Sequence, residues 1–118
     1  ITFNHSHNGV IGDADRFDAL DLFAVNTVSK ELNDLESLGK WIRENGKSLG
    51  LNVERVSWLG HSRGGANVIL FASRCQDYVE KVIAWSPIPS YQWLFESFNP
   101  ETLAQIKKCR WIIASGRI

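Results

Sequence analysis

Between residues 29 and 45 the apolar positions follow a helical period. Leu32, Leu35, Leu38 and Ile42 recur at spacings of three and four, which places them on one stripe of an α-helix. Lys30, Glu31, Asn33, Asp34 and Glu36 fill the positions between them and are expected on the polar face. Thr27 or Ser29 can cap the start, Glu31 suits the positive end of the helix dipole, and Gly46 is the expected terminator. Residues 53–59 then form a β-branched and aromatic run that predicts a strand, and it ends in Gly60-His61-Ser62-Arg63-Gly64-Gly65. Residues 66–72 are apolar nearly all round and predict a buried helix. A second apolar strand is expected over 79–85, closed by Ser86-Pro87-Ile88-Pro89-Ser90.

The flanks are less regular. Residues 1–4 read as the end of a strand, and 5–15 carry Gly9, Gly12 and several Asn, His and Asp, which is loop chemistry. Residues 17–25 suggest one helical turn. After Pro89, Tyr91, Trp93, Leu94, Phe95 and Phe98 crowd a short segment, Pro100 opens a helix reaching about Lys108, and 111–114 form a third strand-like run. The order strand, helix, strand, helix, strand predicts an α/β fold, a parallel sheet with helices on both faces. Residues 1–89 are read as its central part. Residues 90–118 are either the start of a lid or the next helix–strand unit of the core.

Composition narrows the function classes. With 13 basic and 13 acidic residues the formal net charge is +0, so no basic excess favours nucleic acid or an anionic membrane surface. Neither a leader nor an apolar run of membrane-spanning length is present. Cys75 and Cys109 belong to no C-x-x-C unit and make neither a disulfide framework nor a zinc site. A cytoplasmic protein with no metal and no cofactor is expected; the oligomeric state is left open. The chain contains no Met, opens on an apparent strand and closes on an apolar run, which together predict a fragment of a longer protein.

Gly60-x-Ser62-x-Gly64 is the motif that carries chemistry. From Gly and Ser frequencies of roughly 7% each, about one chain of this length in twenty-five holds the pattern by chance. Its placement, closing an apolar strand and opening a helix, is what a nucleophile turn requires. A sharp turn lifts the Ser62 hydroxyl clear of the sheet at the cost of a strained backbone. Gly60 and Gly64 lack a Cβ, so strand and helix can approach closely. The helix amino terminus and the backbone N–H of Arg63 then face the oxygen on which negative charge develops.

These residues resemble the α/β-hydrolase superfamily, in which Gly-His-Ser-Arg-Gly-Gly is a common form of the turn. Phe3-Asn4-His5-Ser6-His7-Asn8-Gly9, followed by Ser29-Lys30-Glu31-Leu32-Asn33-Asp34-Leu35, is similar to the dienelactone-hydrolase or serine-aminopeptidase-like branch. The resemblance covers about residues 3–85. It implies an acyl-enzyme on Ser62, an oxyanion-hole N–H from Arg63, and a small-molecule or peptide substrate with an ester, lactone or amide bond. The order in that family is Ser, then an acid, then His. No histidine follows Ser62 here, so triad acid and base are expected beyond the chain.

His61 is expected to point away from the nucleophile, while His5 and His7 either line the site or stand in a solvated loop. Asp77, Glu80 and Glu96 are the acids nearest to a triad position, and none is assigned to it. Arg63 can also bind a carboxylate through its side chain. Two other classes compete: an acyltransferase, which departs at Arg63-Gly64-Gly65, and a non-catalytic α/β module that binds a partner.

Overall fold

Helix α2 (Val28–Asn45) starts where Thr27 leaves the extended conformation and its Oγ1 accepts from the Lys30 N–H at 3.2 Å. This satisfies one of the first-turn donors that no helix can pair internally. The helix buries Leu32, Leu35 and Ile42 as the periodicity predicts, but it also buries Glu31, which is 1% exposed. Glu31 precedes Leu35 by one turn and shares its stripe, so it is not the polar-face glutamate expected but a buried one paired with Arg63 and Asn67. Gly46 is the C-cap of α2 as expected, but at a right-handed φ of −61°. The chain continues from it through a 3₁₀ turn to Leu49, which the left-handed Gly50 closes at φ 75°. A Cβ on Gly46 would stand 2.7 Å from Val53 Cγ1, so that glycine serves packing.

The computed structural model describes residues 1–12 and 16–109, including all their side chains except those of 94, 95 and 105–109. It divides into two compact units, one of Ile1–Ser6 and Thr27–Pro89, the other of His7–Asn26 and the residues after Pro89. The first unit has α/β character. Strand β1 (Ser57–His61) pairs in parallel with β2 (Lys81–Trp85), in the register Ser57 to Lys81 through His61 to Trp85. Helix α3 (Arg63–Arg74) connects them through a short 3₁₀ turn. Both strands start later than the apolar runs suggested. Before β1, the Asn52 side chain accepts from the Glu54 N–H and the Asn52 carbonyl from the Arg55 N–H, which makes a turn of residues 52–55.

Helix α3 packs on both strands, and α2 packs on α3. The core joins Leu32, Leu35 and Ile42 of α2 to Trp58 of β1 and Val68 and Phe71 of α3. Phe71 is 1% exposed and meets Trp58 edge to face at 4.8 Å between ring centroids. The Trp58 indole N–H donates to the Tyr78 carbonyl at 2.9 Å. Both core helices therefore lie on the Trp58 side of the sheet. The alternate positions Leu59, Ile83 and Trp85 are 64%, 53% and 66% exposed, so among the described residues the expected second helical layer does not cover them. Helix α3 is amphipathic rather than buried all round, because only its Val68–Phe71 side meets the sheet and α2; Ile69 is 47% exposed. Residues 1–4 are not a strand, since the sheet among the described residues has two members and neither pairs with them.

In the second unit, α1 (Leu20–Ala24) supplies the expected helical turn. The Ala19 N–H donates to the Gly9 carbonyl at 2.9 Å, and Gly9 is held at φ 88° with Phe17 where a Cβ would be. Helices α4 (Tyr91–Glu96) and α5 (Pro100–Cys109) follow, capped by Ser90 Oγ on the Trp93 N–H and by Asn99 Oδ1 on the Thr102 N–H. The strand-like run of 111–114 lies outside the described residues, and with it the choice between a lid and a further core strand. No described helix is long and apolar enough to cross a membrane.

Candidate active site

The motif residues occupy the junction of β1 and α3. The strand ends at His61, the helix begins at Arg63, and Ser62 between them has φ 53° and ψ −117°. A non-glycine residue in that region is strained, by about 1–3 kcal/mol, and persists only where the surroundings impose it. Here the Ser62 N–H donates to the Trp85 carbonyl at 2.9 Å, and the Ser62 carbonyl accepts from Ala66 at 3.3 Å and Ile88 at 3.2 Å. The peptide groups on both sides of Ser62 are thus held by backbone bonds, while the side chain makes no capping bond to the helix it precedes. Arg63 is the first helical residue, so its N–H lies outside the helix ladder.

Two glycines make the approach possible, and they are not quite the expected pair. A Cβ on Gly60 would come within 2.1 Å of the Gly64 carbonyl oxygen and 2.8 Å of the Gly65 nitrogen. A Cβ on Gly64 would meet nothing within 4 Å, whereas one on Gly65 would stand 3.0 Å from Pro87 Cβ and 3.2 Å from the Gly60 oxygen. Gly60 and Gly65 are the close-approach positions; Gly64 contributes its backbone.

Behind the turn lies a group of side chains that the periodicity of α2 did not suggest. Glu31 Oε1 accepts from Arg63 Nη2, and Oε2 accepts from Asn67 Nδ2 at 2.7 Å. Asn67 is 2% exposed, and Arg63 is about half-exposed. Arg63 and Asn67 are four apart on α3, hence on one face, and both reach the first turn of α2. The signal in the sequence was Glu31's place one turn before Leu35, which puts a charge on the buried stripe.

The histidines are engaged elsewhere in contacts of their own. His61 ends β1 and its ring lies 5.3 Å from that of Trp85. His5 Nδ1 stands 3.4 Å from Asp34 Oδ2, the oxygen that also accepts from the Ser6 N–H at 2.8 Å and its hydroxyl at 3.0 Å. His7 belongs to the second unit. Among the acids, Glu80 forks onto Arg55 at 3.1–3.3 Å. The Arg55 hydrogen bonds hold the Glu80 carboxyl below its ordinary range. Burial pushes the Cys75 thiol up, with the Glu36 charge adding to it. Among the described residues no three His, Cys, Asp or Glu side chains form a metal-ligand cluster. A groove of about 460 Å³ runs beside β1, walled by Phe3, Leu38, Ile42, Trp58 and Leu59, and Ser62 is not part of its wall.

No protein-family model, no curated protein and no solved structure matches the chain.

Proposed function

We propose that this chain carries the nucleophile of a serine hydrolase of the α/β-hydrolase type. Ser62 attacks an ester, lactone or amide carbonyl, and the N–H of Arg63 donates to the oxyanion. The observation that supports this most is the backbone of Ser62, a serine in the left-handed region between a parallel strand and a helix. A positive φ alone does not mark a nucleophile, since Ser86 after β2 has φ 44° as well; at Ser62 it is joined to a following helix and to the close approach of Gly60, the combination that lifts a hydroxyl off the end of a strand. Acid and histidine come, on this reading, from sequence outside the 118 residues, because none of the three histidines follows Ser62.

The test is covalent labelling of the complete natural protein by a fluorophosphonate, with turnover of nitrophenyl acetate measured alongside. Both should occur, and Ser62→Ala should abolish both. The 118-residue chain alone should label weakly and turn over almost nothing, because a serine site without its triad partners retains only about 10³–10⁴-fold over water. Absence of labelling in the complete protein would leave a non-catalytic α/β binding module instead. Full activity of the short chain, lost on changing His5, His7 or His61 to Ala, would make an upstream histidine the base.

A further inference from the structure

A carboxylate taken out of water is costly unless it is paired and hydrogen-bonded, and Glu31 is both. Its two oxygens are divided between two side chains of a different element, the first and fifth residues of α3. Core stability alone is served as well by an apolar residue at such a position. The placement of the partners is more specific. Arg63 is covalently next to Ser62 and carries the N–H assigned to the oxyanion. Anchoring the Arg63 side chain therefore fixes the rotation of that peptide about the helix start. Asn67, one turn further on, fixes the azimuth of the same helix.

We propose that Glu31 is a positioning residue for the nucleophile turn: its carboxylate clamps Arg63 and Asn67 so that the strained Ser62–Arg63 peptide keeps its N–H on the reacting oxygen. The proposal rests on the hydrolase reading above. Glu31 touches no substrate; it acts through Arg63. The clamp is a bidentate one across two helices, with the charge of Arg63 set against that of Glu31; Glu31→Gln keeps the volume and loses the charge-assisted bond, and Arg63→Gln withdraws the guanidinium while leaving a polar side chain at a half-exposed position. An oxyanion donor displaced by a fraction of an ångström still lets substrate bind, and loses its effect in the transition state.

The experiment uses the complete natural protein with Glu31→Gln, Arg63→Gln and the double variant. It measures the fluorophosphonate labelling rate, kcat and KM on nitrophenyl acetate, and the melting transition. Each single variant should label about ten- to hundredfold more slowly and lose kcat by a similar factor, with KM within about twofold. The double variant should fall within about threefold of the worse single one, since both changes break one clamp. Folded single variants that label at the wild-type rate would overturn the proposal. So would losses that multiply in the double variant with KM rising in step, the mark of general damage to the fold. If Glu31→Gln does not melt cooperatively, Arg63→Gln, altered at a half-exposed head group, decides alone by the same rate and KM criteria. A wild-type protein that does not label removes the hydrolase reading and the clamp with it. A wild type that labels beside unaffected variants removes the clamp only.

Discussion

Replacing Gly60 by alanine adds one methyl group where strand and helix backbones come closest to a glycine among the described residues. The new Cβ would stand 2.1 Å from the Gly64 oxygen and 2.4 Å from the Gly64 carbonyl carbon. Contact at van der Waals distance is about 3.5 Å or more, so strand and helix must part by roughly 1 Å or more. Neither neighbour is a side chain that can swing aside; both are backbone of the first turn of α3. Overpacking of this kind costs about 1–3 kcal/mol and sometimes more, and a rigid backbone neighbour argues for the upper end. Gly64→Ala, four residues further along the chain, is the matched control. Its Cβ meets nothing within 4 Å, and alanine is favoured over glycine within a helix by up to about 1 kcal/mol. Urea denaturation of the two variants should therefore give opposite signs: Gly60→Ala destabilised by about 2–3 kcal/mol, Gly64→Ala unchanged or stabilised. Equal stability of the two variants would refute the reasoning, because it would mean that strand and helix are not in contact at Gly60.

Phe71→Ala, at a side chain 1% exposed against Trp58, should cost about 3–5 kcal/mol, while Ile69→Ala on the outer face should stay within about 0.5 kcal/mol; thermal melts compare them. Arg63→Ala leaves the buried Glu31 carboxylate bonded to the neutral Asn67 amide without the Arg63 charge, and should destabilise by about 1–3 kcal/mol, below the range for a fully buried pair because Arg63 is half-exposed. Glu80 has a folded-state pKa below its unfolded value, so its pairing with Arg55 stabilises above the ordinary carboxylate pKa and fades as pH falls through the folded value. The melting difference between wild type and Glu80→Gln should shrink towards acid pH and in high salt, and a difference that grows there would show the sign to be wrong. Burial raises the Cys75 pKa, so with Cys109→Ser in place iodoacetamide should alkylate Cys75 more slowly at pH 8 than it does a free cysteine peptide.

The strand, turn and helix around Ser62 were legible in the sequence because their determinants are local. A β-branched run, a serine flanked at two residues by glycine, and an apolar stretch behind it suffice to predict strand, sharp turn and helix. The helix of Leu32, Leu35 and Ile42 was legible for the same reason, a period that depends on neighbours three and four residues away. Boundaries shifted where side chains competed for backbone groups, as Asn52 does before β1. Three things were decided only by the tertiary structure. Glu31 is buried because Arg63 and Asn67, more than thirty residues later, come to meet it. Residues 1–4 are not a strand because strands exist by pairing, and no strand among the described residues pairs with them. Gly65 rather than Gly64 faces Pro87 because the close contact is set by how the end of β2 returns over α3, a distance no local pattern encodes.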